Sequence, residues 1–196
     1  MGQENVYMIV LFGEAGSGKD TIANKLCEAL PDIANKVVTW TTRPKRDYET
    51  QDKEYHFATV SEFCGEKENM IEWDNFNDWF YGTSAKALQK NKINIGVYTP
   101  AGCKKLMQYN DLYPIFFRVS CDSKTRIIRQ CERDKNTSIQ EICRRFLADS
   151  RDFDELHFPY HTLENNTPQD LEDNVADLKF LVKMLYNFMI KEEEND

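Results

Sequence analysis

Residues 13–19 read Gly-Glu-Ala-Gly-Ser-Gly-Lys, and with their flanks they limit the fold more than any other part of the chain. Before them, Val6 to Phe12 is a near-continuous apolar run, which suits a strand covered on both faces, as in a parallel sheet. After them, Ile22, Ala23, Leu26, Cys27 and Leu30 keep helical spacing until Pro31, where a helix must stop. Strand, glycine-rich turn and helix are the opening of an α/β fold. The G-x-x-x-x-G-K spacing also has a chemical reason. Glycines let successive backbone N–H groups turn inward around a phosphate without Cβ clashes. The helix N-terminus adds its positive dipole end, and Lys19 reaches the outer phosphates as a point charge. Gly13, Glu14, Ala15, Gly16, Ser17, Gly18 and Lys19 are thus candidate ligands of a nucleoside triphosphate's phosphates. The motif usually continues with a Ser or Thr whose hydroxyl binds Mg²⁺. Here Asp20 stands there, with Thr21 one step later. A carboxylate is also a hard oxygen ligand, so Asp20 is the candidate metal residue.

The rest of the sequence narrows the class. A chain of 196 residues supports one well-buried core, and no linker or second core interrupts it. No run approaches the roughly eighteen apolar residues of a membrane helix, and residues 1–5 lack a basic signal-like region, so a cytosolic protein with no membrane partner is expected. Six scattered cysteines without a C-x-x-C pair read as reduced thiols. The net charge of −8 argues against nucleic acid as a partner. Against that acidic background, Arg43, Lys45 and Arg46 form one basic knot, and Arg126, Arg129, Arg133, Arg144, Arg145 and Arg151 a second, which points to local anion sites.

Periodicity predicts further strands at Lys36 to Thr42, Ile93 to Tyr98, Tyr113 to Val119 and Tyr160 to Leu163. Residues 55–83 read as a mixed insertion of short aromatic strands around a turn at Asn77-Asp78, with a small helix near Ser61. Helices are expected to open at Ser84, at Asp122 or Ser123, and at Ser138, where Glu141 completes a capping box for a helix reaching about Phe153. Thr167-Pro168 starts a last helix whose Leu171, Val175, Leu178, Val182, Leu185 and Met189 form a core-facing stripe.

Residues 39–46, Thr-Trp-Thr-Thr-Arg-Pro-Lys-Arg, are followed by Tyr55-His56-Phe57, Ile71-Glu72-Trp73 and Phe80-Tyr81-Gly82-Thr83. Together they offer two arginines three apart, two tyrosine hydroxyls, one carboxylate and two threonine hydroxyls. Arginines and tyrosines suit a phosphate. A carboxylate beside hydroxyls suits a purine edge that displays donors and an acceptor. This order of pieces resembles the guanylate kinase family, matching its T-T-R-x-x-R, D-Y-x-F-like, I-E-W and Y-G-S/T segments over nearly the whole chain. The resemblance implies a P-loop NTPase three-layer α/β fold with a parallel central sheet in a single domain, residues 1–196. Its core would be 1–38, 84–128 and 152–190, with an acceptor-binding region at 39–83 and a helical lid at 129–151. Arg43, Arg46, Tyr55 and Tyr81 would then grip the acceptor's phosphate. Glu72 would accept from guanine N1 and N2, and Thr39 and Thr83 would stand near the O6 edge. Arg129, Arg133 and Arg145 would close over the ATP phosphates with Lys19 and Arg43 as the catalytic cations, Asn165 would lie on the adenine side, and Mg²⁺ would accompany ATP. The implied activity is transfer of the ATP γ-phosphate to GMP or dGMP.

The family usually carries an acidic D-x-D pair at the end of the strand after the acceptor region. Here Val97 and Thr99 occupy those positions. The metal loses a carboxylate on that strand where the phosphate loop gains Asp20, which suggests a swap. A lost buried contact of this kind is worth about 1–3 kcal/mol, so the departure also leaves room for another nucleoside monophosphate as acceptor. A sugar-phosphate acceptor fits Glu72, Tyr55 and Tyr81 poorly. A catalytically silent binding module would have no need of the loop glycines, Lys19 and the lid arginines.

Overall fold

A computed structural model describes residues 5–46, 49–76, 78–133, 138–153 and 156–193. Its centre is β1 (Val6–Phe12), every residue of which is buried. β1 pairs in parallel with β7 (Ile93–Tyr98) on one side and β8 (Leu112–Ser120) on the other. β2 (Ala34–Lys36) and β9 (His161–Glu164) complete a five-stranded parallel sheet in the order β2-β7-β1-β8-β9. The continuous apolar run is needed because both faces of β1 are covered. Tyr7, Ile9 and Leu11 pack with Ile22 and Leu26 of α1 (Lys19–Ala29) and with Leu178, Val182 and Met189 of α6 (Pro168–Glu193). Met8, Val10 and Phe12 face the opposite layer, with Cys103 and Leu106 of α3 (Pro100–Leu106) and with Phe158. These are the three expected layers, and the stripe expected on α6 is the one that meets the sheet.

A second, four-stranded sheet runs β4 (His56–Phe57), β3 (Trp40–Thr41), β6 (Trp79–Ser84), β5 (Met70–Phe76), with α2 (Val60–Glu66) beside it. The strand expected over Lys36 to Thr42 is therefore divided between two sheets. Val37 N–H still bonds Ile95 O at 2.9 Å, but Thr39 O already accepts from His56 N at 2.9 Å, so the chain changes sheet between them. β5 and β6 form an antiparallel hairpin closed at 77–78, where Asp78 has a left-handed φ of 66° and Asn77 lies outside the described residues.

Other boundaries depart from the sequence reading for local reasons. Ser84 opens only a 3-10 turn over Ala85–Ala87, because Ala87 O accepts from Asn35 Nδ2 at 2.9 Å instead of continuing a helical ladder. α4 (Ser123–Arg133) is capped by Asp122, whose Oδ1 accepts from Thr125 N at 2.9 Å. α5 (Ile139–Asp152) has half of the expected capping box. Ser138 Oγ accepts from Glu141 N, but the Glu141 carboxylate takes Arg144 and Arg145 at 2.7 and 2.8 Å. A reciprocal box forms at Thr59 and Glu62 instead, opening α2. All six cysteines are free thiols, and no described helix is long and apolar enough to cross a membrane.

Candidate active site

The phosphate loop leaves the C-terminal end of β1 and runs into α1. Gly16 and Gly18 have φ of 82° and 97°, a region closed to most residues, and a Cβ on Gly16 would come within 2.6 Å of Arg126 O. Ser17 N bonds Glu14 O at 3.1 Å, which tightens the turn, and Lys19 Nζ reaches back to Glu14 O at 3.4 Å. Ser17 is fully buried, and its Oγ has no hydrogen-bond partner. A buried hydroxyl left without a partner within a phosphate-type loop is an open hydrogen-bonding position.

The loop is braced from behind by residues distant in sequence. Asn165, 2% exposed, donates from Nδ2 to Ser17 O at 2.7 Å, so its side chain is engaged with the loop backbone. Arg129 Nη1 donates to Asn165 O at 2.9 Å and lies 3.5 Å from Ser17 O. Gln130 Nε2 bonds Ala15 O at 3.2 Å. Arg133 is exposed at the end of α4, and the Arg151 side chain lies outside what the structure describes.

In the second sheet, the sequence set converges. Glu72 is buried because of a β-bulge: Met70 pairs with Ser84 and Glu72 with Thr83, so Ile71 is an extra residue. Strict alternation would put one of Ile71 and Glu72 in solvent. The bulge buries both, Ile71 in the core and Glu72 facing Thr83. Thr83 Oγ1 donates to Glu72 Oε1 at 2.8 Å. Burial pushes the Glu72 carboxyl up to about 7, with the Thr83 bond opposing it. Arg43 is also buried and makes a bidentate pair with Glu49, at 2.9 and 2.7 Å; Glu49 additionally accepts from Arg46 N at 2.8 Å. Burial alone would raise Glu49, but these bonds outweigh it and hold the carboxyl below its ordinary range. The Arg43 guanidinium lies 5.3 Å from the Tyr55 ring centre, and Tyr55 meets Tyr81 edge-on at 6.1 Å. Thr39 is buried in the same region.

One cleft joins the loop to the Glu72 pocket. Ala15 and Lys19 of the loop line it together with Glu72, Tyr98, Tyr55 and Tyr81. A neighbouring cleft sets Arg145 of α5 opposite Arg43 and Arg46. Asp20, exposed in the first turn of α1, lines a small cavity with Thr39, Tyr55 and Val97. The acid gained on the loop and the position of the acid missing from β7 thus share one space. Tyr55 is raised by burial first and by the Asp20 charge second. Among the described residues no cluster of three His, Cys, Asp or Glu forms a metal cage. A magnesium ion held mainly by phosphates and water needs only one or two protein carboxylates, and Asp20 fits that demand.

Three residues beside the site, Glu49, Tyr98 and Asp149, escaped the sequence reading, and a fourth, Arg126, figured there only as a member of the second basic knot. Glu49 orients Arg43. Tyr98 stands beside Thr83, their oxygens 3.1 Å apart. Arg126 of α4 is 5% exposed, stacked 4.9 Å from Phe146, with Nε unpartnered. Asp149 of α5 accepts the Ala15 N–H at 2.7 Å and lies 3.6 Å from Arg126 Nη1. Burial pushes Asp149 up, against the Ala15 bond and the nearby Lys19 and Arg126 charges. A half-buried charge between Arg126, Lys19 and the glycine loop has no local sequence signature; only the fold brings Ala15 and Asp149 together.

The family model described as guanylate kinase matches residues 5–185. A guanylate kinase of Synechococcus sp. is 29% identical over 175 residues, which is 85% of this chain and 79% of that protein. A guanylate kinase of Helicobacter hepaticus is 36% identical over 92 residues, 44% of this chain; the match spans 46% of that protein's length. The solved guanylate kinase of Anaplasma phagocytophilum superposes with a TM-score of 0.65 at 20% identity, covering 95% of this chain and 88% of that one, which speaks for the fold. With the family model covering almost all of it, this chain belongs to the guanylate kinase family.

Proposed function

We propose that the chain transfers the γ-phosphate of ATP to GMP or dGMP, giving ADP and the guanosine diphosphate. The observation that carries this reading is the single cleft that runs from Lys19 and Ala15 to Glu72. Donor phosphates at the loop and an acceptor base at Glu72 put the acceptor's phosphate between them, near Arg43, Tyr55 and Tyr81. In-line transfer is then a matter of positioning and charge. Loop N–H groups and Lys19 hold the outer phosphates. Arg43, fixed by Glu49, and Arg46 with the two tyrosine hydroxyls hold the acceptor phosphate. Arg145 faces them across the neighbouring cleft and would neutralise charge on the transferring group. Glu72 in its ionised form accepts from two guanine donors, which adenine, cytosine and uracil cannot present in the same array.

In this reading the second sheet with α2, residues 39–83, is the acceptor-binding region, residues 129–151 are the lid, and the rest is the core. Closure of α5 over the cleft would exclude water and protect ATP from hydrolysis. Arg129 and Asn165 shape the loop from behind, and Arg133 would join from the end of α4. Magnesium, when bound with ATP, offsets phosphate charge; Asp20 would hold it, with Thr21 beside it.

The test is ADP release with ATP, Mg²⁺ and each of GMP, dGMP, AMP, CMP, UMP and dTMP. A rise with the guanine nucleotides alone is expected. A stronger response to another acceptor would refute the base assignment, and silence with every acceptor would refute the activity.

A further inference from the structure

Tyr98 lies outside the acceptor set that the sequence suggests, yet it is built into it. It ends β7 between Val97 and Thr99, the two positions that lack the family's carboxylates, and it is 6% exposed. Its ring has a fixed seat: a Cβ on Gly96 would strike Cε2, and one on Gly102 would lie 3.3 Å from Cδ1. Burial keeps the phenol well above its ordinary range, so across any working pH it is a neutral O–H donor.

Thr83, fully buried, is 2.8 Å from Glu72 Oε1 and 3.1 Å from Tyr98 Oη. Its hydroxyl has one proton. The carboxylate is the stronger acceptor and takes that proton, so the Thr83 oxygen accepts from Tyr98. The chain of donors has one direction, from Tyr98 to Thr83 to Glu72. We propose that Tyr98 is a positioning residue for the acceptor base, acting through Thr83 to keep Glu72 in its accepting form and to fix one carboxylate oxygen so that the other meets guanine. The proposal rests on the reading of Glu72 as the guanine contact.

The need for such support is visible around Glu72. With burial lifting the carboxyl to about 7, a proton that would turn it into a donor is close at hand near neutral pH. The groups that face it are Thr83 from β6, Lys105 and Cys103 from α3, Asp74 on its own strand, and Tyr98 from β7. Lys105 favours the charged form, but it is paired with Asp74 at 3.2 Å, which opposes it. Burial keeps Cys103 a neutral thiol. Thr83 alone among them donates a hydrogen bond to the carboxylate, and its own oxygen is polarised by Tyr98.

The experiment is the pH profile of kcat/KM for GMP at saturating ATP, in the unaltered chain and in Tyr98→Phe. The substitution should move the rising limb up by about one pH unit and raise the KM for GMP about three- to tenfold at pH 7, with kcat and the KM for ATP nearly unchanged. In a Thr83→Val background, where the relay is already cut, Tyr98→Phe should add little. An unmoved limb and KM, or an equal effect in both backgrounds, would overturn the proposal. If thermal melting shows Tyr98→Phe unfolded, 3-fluorotyrosine at 98, a stronger donor of nearly the same shape, decides: a downward shift of the limb is expected, and an unmoved limb overturns it. Failure of the unaltered chain to phosphorylate GMP would instead refute the reading of the site and this proposal with it.

Discussion

Glu72 shows how far a single residue's chemistry depends on its burial. The fold lifts its carboxyl from 4.5 to about 7. Between those values the folded chain keeps a proton that the unfolded chain releases. The stabilisation from this group is therefore full below about pH 4.5 and lost as pH rises through about 7. Guanine binding has the opposite sign, because only the ionised form accepts from N1 and N2. Glu72→Gln should accordingly keep or raise the melting temperature at pH 8 while raising the KM for GMP at least about tenfold; a lower melting temperature with unchanged KM would refute the assignment. Glu49 works the other way. Its carboxyl is held low by Arg43 and Arg46, so its stabilisation is present above the ordinary carboxylate range and lost as pH falls. Glu49→Ala leaves the Arg43 charge buried and unpaired, and should cost about 3–5 kcal/mol in denaturant unfolding. A cost within experimental error would mean that Arg43 finds another partner.

At the scale of elements, the bulge at Ile71 explains why a strand that does not alternate still delivers its acid to the cleft. The sequence shows I-E-W as a motif, but nothing in its period announces the extra residue. The boundary errors have the same origin. Ser138-x-x-Glu141 and Thr59-x-x-Glu62 look alike in sequence, and only the nearby Arg144 and Arg145 draw Glu141 away from its box. Thr59→Ala should cost about 1 kcal/mol through α2, read as a drop in denaturant midpoint; no change would show that α2 is held by packing alone. Helix α5 carries a second consequence. Asp149 accepts the Ala15 N–H that a phosphate oxygen would take, and both cannot hold it. Asp149→Ala is expected to tighten ATP binding about two- to tenfold in calorimetric titration. Weaker binding would mean that Asp149 supports the nucleotide.

For the whole molecule, the legible parts were those set by local patterning: the buried β1 run, the glycine loop, the α6 stripe and the three layers they imply. The acceptor residues were legible as types at spacings. What joins them was not. Glu49 acts within one loop, on Arg43 six residues away. Tyr98 and Asp149 act on groups in other elements, and Asn165 reaches Ser17 across 148 residues, so their roles exist only after the layers assemble. The same assembly makes one cleft out of two half-sites, and the central claim is that phosphate crosses it. The most direct test is to supply ATP labelled in its γ-phosphate together with GMP and to separate the products. Label in the β-phosphate of GDP, abolished by Lys19→Ala, is the predicted result. Label found only in inorganic phosphate, or retained in ATP while the nucleotide is bound, would contradict the account.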